Sequence, residues 1–113
     1  MHIRSTETKP RRVDASLEIF PHFTLDTFAF DVAEGHLDGV HGMFLNHVSD
    51  KAYFVLDGSG TIYVDGKEFE AAKGSIVAVP KGALHGLTGK MRFLVMTSPS
   101  FDPENEELLE WPT

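Results

Sequence analysis

The chain has 113 residues, with ten Lys+Arg against seventeen Asp+Glu and a formal net charge of −7. With 42% apolar residues, including nine Phe, it carries enough material for one packed domain and is not a globally disordered chain. The absence of cysteine excludes disulfides, thiolate metal cages and cysteine nucleophiles, and the acidic balance argues against a nucleic-acid partner.

Residues 1–14 are polar, carry Arg4, Lys9, Arg11 and Arg12 against Glu7, and are interrupted by Pro10, which predicts an arm or edge strand. Met1-His2-Ile3-Arg4 lacks the apolar core of a signal peptide, and the longest apolar run, Ile76–Val79, is too short to cross a bilayer. The expectation is a soluble cytoplasmic protein with no membrane partner.

From Leu17 onward, runs rich in Phe, Val, Ile and Tyr recur between Gly, Asp and Pro, without helical periodicity. The predicted strands are Leu17–Phe20, Leu25–Val32, Val40–His47, Ala52–Leu56, Thr61–Val64, Glu68–Glu70, Ser75–Val79 and Arg92–Thr97. The Gly35–Gly39 stretch reads as a loop. Asp57-Gly58-Ser59-Gly60 and Asp65-Gly66 read as hairpin turns whose glycines permit positive φ. After residue 101 the chain is acidic. Pro103, Glu104, Glu106 and Glu107 suit a helix start, and Leu108, Leu109 and Trp111 give it an apolar side. The organisation expected is an N-terminal arm (1–14), an all-β antiparallel barrel or jelly roll (15–101) and a short helical tail (102–113) that packs back on the barrel.

Strand alternation puts His41, Met43, Leu45 and His47 on one face and Lys51, Tyr53 and Val55 on one face of the next strand. His2 and His22 read as solvent-facing. The phenylalanines Phe28, Phe30, Phe44, Phe54 and Phe93 read as core or subunit contacts. No G-x-S-x-G elbow, phosphate-binding glycine loop or H-E-x-x-H pair is present, which leaves serine hydrolase, nucleotide-binding and zincin readings without support.

Gly74-Ser75-Ile76-Val77-Ala78-Val79-Pro80-Lys81-Gly82-Ala83-Leu84-His85 resembles the second motif of the cupin family, G-x5-P-x-G-x2-H, with Gly89 where that motif ends in Asn. The first cupin motif, counted back from Gly58, places Lys51 at the family's Glu, His47 at its second His and Leu45 at its first. The exit Ser98-Pro99-Ser100-Phe101-Asp102-Pro103 is similar to the endings of small cupins described as mannose-6-phosphate-isomerase-like.

This resemblance implies a small antiparallel β-barrel, the double-stranded β-helix jelly roll, with a small-molecule pocket at its open end and a homodimeric habit. It implies that His47 and His85 face that pocket as ligands of a divalent Fe, Mn, Ni or Zn ion. From the residues themselves, His36 and Asp38 in the Gly35–Gly39 loop or the Tyr53 oxygen could complete the set, whereas His41, about 20 Å from His47 along the strand, could do so only if the strand bulges. The same pocket read without metal gives His85, Lys51 and Tyr53 as catalytic groups: a desolvated amine as base or imine-forming nucleophile and a histidine moving protons near neutrality. The bland reading pairs Lys51 with Asp50 or Asp57 at the barrel mouth. The functional expectation is a small-molecule-binding cupin, acting as an isomerase on a sugar derivative. The alternatives are a non-enzymatic ligand-binding module that has lost its metal and a metal-dependent oxygenase.

Overall fold

The computed structural model describes residues 9–23, 29–109 and 111. Eight strands follow in chain order: β1 (Arg11–Arg12), β2 (Leu17–Phe23), β3 (Asp31–Asn46), β4 (Asp50–Val64), β5 (Lys67–Ala72), β6 (Ile76–Val79), β7 (His85–Ser98) and β8 (Glu106–Leu108). Every pairing is antiparallel, in the order β1-β2-β3-β7-β4-β5, with β6 on β4 and β8 on β3. The expected all-β barrel is thus the architecture found. No helix among the described residues is long and apolar enough to cross a membrane.

Three long strands, β3, β7 and β4, run the length of the fold, and each bends where a glycine stands. Gly39 pairs with Gly89, which pairs with Gly60, so one row of glycines crosses all three strands. A Cβ on Gly60 would lie 2.1 Å from the Thr88 carbonyl oxygen, and one on Gly89 would lie 2.6 Å from Gly60 Cα. Only bare backbones approach this closely, so the row marks the corner at which the sheet folds over itself. Asp57-Gly58-Ser59-Gly60 is therefore a bent strand rather than a hairpin turn, and Gly35–Gly39 is strand rather than loop. Asp65-Gly66 is the expected tight turn, with φ of 47° and 83°.

The barrel interior is filled by in-register rows. Gly35, Phe93 and Val55 form one, and His41, Leu87 and Ile62 another. Phe93, Val55, Ile62 and Leu87 are at most 1% exposed, and each such side chain contributes about 1.5 to 3 kcal/mol by leaving water. Gly35 makes room for the Phe93 ring, whose nearest carbon lies 2.3 Å from where a Cβ would sit.

The expected helical tail is instead a single 3₁₀ turn, Pro103–Asn105, followed by β8. Pro103 opens the turn and the Asp102 side chain accepts from the Glu104 N–H, as helix-start residues do. The chain then extends because β3 offers it a ladder: Phe44, Leu45 and Asn46 pair with Leu108, Glu107 and Glu106. Beyond it, the Trp111 indole N–H donates to the Gly42 carbonyl at 2.9 Å, and its ring meets Tyr63 edge-on. The run Leu25–Val32 falls partly on residues outside the described ones, as does Phe28, and the side chain of His22 is likewise outside them.

Candidate functional site

Inward-facing residues of β3, β7 and β4 surround a cavity of about 170 Å³. Its walls are apolar, with Leu17, Ile19, Ala33, Leu87, Phe93 and Val95, and its polar groups converge from widely separated parts of the sequence. One row across the sheet, Asp31, Thr97 and Lys51, forms a polar edge, and Tyr53 stands one row further in beside Val95. His41 and Phe44 come from the far half of β3, and Glu106 comes from β8.

Lys51 is 8% exposed, and its ammonium donates to Glu106 Oε1 at 2.6 Å. The second oxygen of Glu106 accepts from Asn46 Nδ2 at 2.7 Å, and Asn46 Oδ1 in turn accepts the N–H groups of Val48 and Ser49. A fully bonded carboxylate is what a buried ammonium requires. The Phe101 ring lies 5.4 Å from the ammonium. Lys51 thus pairs with neither Asp50 nor Asp57: Asp50 accepts the Lys81 N–H, and Asp57 accepts the Gly58 N–H.

His41, 9% exposed, has Nδ1 2.9 Å from Asp14 Oδ2. The ionised carboxylate requires a proton on Nδ1, so Nε2 carries the lone pair. Burial holds His41 below its ordinary 6.5, against the opposing pull of Asp14, so the ring is neutral at pH 7. Burial pushes the Asp14 carboxyl up, but hydrogen bonds from His41 and from the Ser16 and Leu17 N–H groups outweigh it and leave the carboxyl below 3.8. Burial and the charge of Glu106 raise the Tyr53 phenol above its usual value, keeping it a proton donor. Burial likewise raises Asp31, although the Phe101 N–H and the Thr97 hydroxyl favour its ionised form.

His85 is 1% exposed and lies against Phe44 and Tyr53, with ring centroids 6.2 Å away in each case. Gly82, at φ 82°, turns the chain after Pro80 and β6, which is how the second motif aims this histidine inward. Its Nδ1 meets the Ala83 carbonyl at 3.2 Å, while Nε2 is buried without a hydrogen-bond partner among the described residues. Burial, followed by the charge of Lys51, pushes it down to about 4.

Lys51 and Tyr53 line the cavity, whereas His85, expected there too, lies behind Phe44 and Tyr53 and off the cavity wall, and His47 is sent away altogether. His47 is exposed, with Nε2 2.9 Å from Glu107 Oε2. The cause is a bulge: register shifts between Gly42 and Phe44, so Phe44 and Asn46 follow His41 inward and Leu45 and His47 lose that face. Met43, buried, packs on Gly86 beside Trp111. His36 is exposed and bonded to Glu34, and with Asp38 it borders a separate charged depression lined by Arg12, Asp57 and Lys90. Neither closes the barrel mouth.

These donors do not fit a resident Fe, Mn, Ni or Zn ion. His47 is outside, Leu45 cannot ligate, both Glu106 oxygens are engaged, and Lys51 already places a cation in the pocket. Among the described residues no group of three or more His, Asp or Glu side chains is arranged to hold a metal.

Sequence reasoning missed Asp14, Glu106 and Asn46 and treated His41 only as a spare metal ligand. Gly42 within a strand was the local signal for the bulge; nothing local pointed to Glu106.

Residues 31–97 match the cupin-domain family. A curated protein of Methanocaldococcus jannaschii is 26% identical over 69 residues, 58% of this chain and 55% of that protein. The chain spans about half the length of the curated relatives it matches. Among solved structures, Streptomyces Pac13, a nucleoside dehydratase, superposes with a TM-score of 0.88 at 17% identity, over 100% of this chain and 93% of that one. KdgF from Halomonas sp. superposes with a TM-score of 0.81 at 16% identity, over 92% and 97% of the two chains. At these identities the likeness establishes the fold.

Proposed function

The chain belongs to the cupin-domain family, and from that premise we propose that it is a metal-independent acid–base enzyme acting on a small hydroxylated carbonyl compound of the sugar type. The carrying observation is the Asp14–His41 contact at 2.9 Å on the wall of an apolar cavity. Asp14 fixes the tautomer and stabilises the imidazolium that forms, so Nε2 takes a proton from the carbon beside the carbonyl. Tyr53 and the Lys51 ammonium supply donors to the oxygen on which charge develops. The proton returns at the neighbouring carbon in an isomerisation, or to a departing hydroxyl in a dehydration.

The cavity is close to the roughly 150 Å³ that encloses a single six-membered ring, which sets the size of the part of the ligand held inside. Pac13 has been solved with uridine, a ligand carrying a ring of that size, which supports a sugar or nucleoside-like ligand here. We place the working unit as a homodimer. Outward-facing Val32, Met96 and Ala52 form one apolar row and Leu94, Phe54 and Ile76 another, with Ile76 67% exposed.

The test is solvent deuterium uptake, followed by proton NMR, across a panel of hydroxy-aldehydes, hydroxy-ketones and their nucleoside counterparts. Uptake at the carbon next to the carbonyl, lost in His41→Gln, is the expected result. Saturable binding with no exchange on any member would replace the enzyme by a ligand-binding module.

A further inference from the structure

The buried amine of Lys51 stands beside a carboxylate positioned to accept its proton, and open space in the cavity adjoins both groups. Glu106 Oε1 is 2.6 Å from Nζ, and both residues line the cavity. We propose that Lys51 captures an aldehyde or ketone ligand as a protonated imine, with Glu106 shuttling one proton. This rests on the acid–base reading and deepens it: in the covalent form that His41 would meet, the carbonyl oxygen has left as water, and the Lys51 nitrogen replaces the ammonium donor as the group that draws charge from the adjacent carbon.

The step balances without an oxidant or reductant. Glu106 takes one proton from the ammonium, and the freed nitrogen pair forms a bond to the carbonyl carbon as the C=O π pair moves to oxygen. A second proton passes from nitrogen to that oxygen, giving the carbinolamine. Glu106 returns the first proton to the hydroxyl, which leaves as water while the nitrogen pair closes the C=N bond. Ammonium plus carbonyl has become iminium plus water. The end state suits this pocket, because a cation still stands beside the Glu106 carboxylate and the buried pair is never left half-neutralised. The iminium also withdraws electrons from the adjacent carbon, whose proton His41 Nε2 would remove.

The other five lysines, Lys9, Lys67, Lys73, Lys81 and Lys90, are all exposed and serve as internal controls. The full chain is treated with limiting glyceraldehyde and cyanoborohydride at neutral pH, and labelling is mapped by peptide mass spectrometry. Lys51 is expected to be labelled at least about tenfold faster than any exposed lysine, a preference that proximity to a proton shuttle supplies. Lys51→Arg, which keeps the cation beside Glu106, is expected to remove that adduct alone. Glu106→Gln is expected to slow labelling of Lys51 to the rate of the exposed lysines, with near-UV circular dichroism reporting that the barrel is intact. Labelling of wild-type Lys51 no faster than the exposed lysines overturns the proposal. If His41-dependent deuterium uptake occurs in that same protein, the iminium fails while the acid–base reading stands.

Discussion

Glu106 reaches back 55 positions to Lys51, and its Oε1 lies 2.6 Å from the ammonium in a place where the lysine side chain is 7% exposed. Removing one partner of so buried a pair strands the other. Glu106→Ala is expected to lower stability by about 3 to 5 kcal/mol, while Lys51→Met combined with Glu106→Gln recovers most of the loss. Urea titration of the two variants checks this. A double variant no more stable than Glu106→Ala would show that the two groups do not act as a pair.

The His41 base is tested without any stability argument. With the substrate found by deuterium uptake, His41→Gln is expected to lower the exchange rate by about 10²- to 10⁴-fold. Asp14→Asn keeps the shape and removes the charge that fixes the tautomer, so its loss should fall in kcat more than in KM. An unchanged kcat in Asp14→Asn would reduce Asp14 to a structural contact.

Acid should unfold the protein early. His85 lies at about 4 in the folded state against an ordinary 6.5. Below 6.5 the unfolded chain takes up a proton that the folded one refuses, so stability is complete above that pH and falls on the way down to 4. The loss is about 3 kcal/mol at its limit. His41 shifts in the same direction and adds to it. Thermal melts from pH 7.5 to 4 should show the decline, flattened in His85→Leu. An equal slope in that variant would assign the decline to other groups.

The glycine corner gives a paired comparison. Gly89→Ala brings a Cβ to 2.6 Å from Gly60 Cα at φ 124° and should cost about 3 kcal/mol or more. Gly74→Ala meets nothing within 4 Å at φ 90°, so only backbone strain remains, about 1 to 2 kcal/mol. Equal denaturation midpoints for the two would mean that the close approach is relieved by a backbone shift.

The outer apolar rows make Ile76→Glu the variant of choice for assembly. Sedimentation is expected to give a dimer for the parent chain and a monomer for Ile76→Glu, since a charge desolvated at a subunit contact has no partner there. A monomeric parent would end the homodimer proposal.

Local chemistry made much of this molecule legible from its residues. Asp65-Gly66 fixes a hairpin because few dipeptides accept two positive φ angles, and the Gly74 to His85 spacing aims one histidine inward whatever surrounds it. The parity of β3 was not legible, because one extra residue after Gly42 reverses every later side chain and alternation offers no warning. Gly58 and Gly60 misled for a related reason, since the freedom that permits a turn also permits a bent strand. Asp14 and Glu106 were beyond local reading altogether. Their partners, 27 and 55 positions away, are chosen by how the barrel closes.

The only tryptophan of the chain, Trp111, is bonded to Gly42 and rests on Gly86 just past the strand that carries Glu106. Intrinsic fluorescence excited at the indole band is therefore a native optical probe of that one wall. A ligand that dislodges β8 would register as a spectral change with no dye attached, and stopped-flow mixing would give the speed of that movement separately from the melting of the barrel.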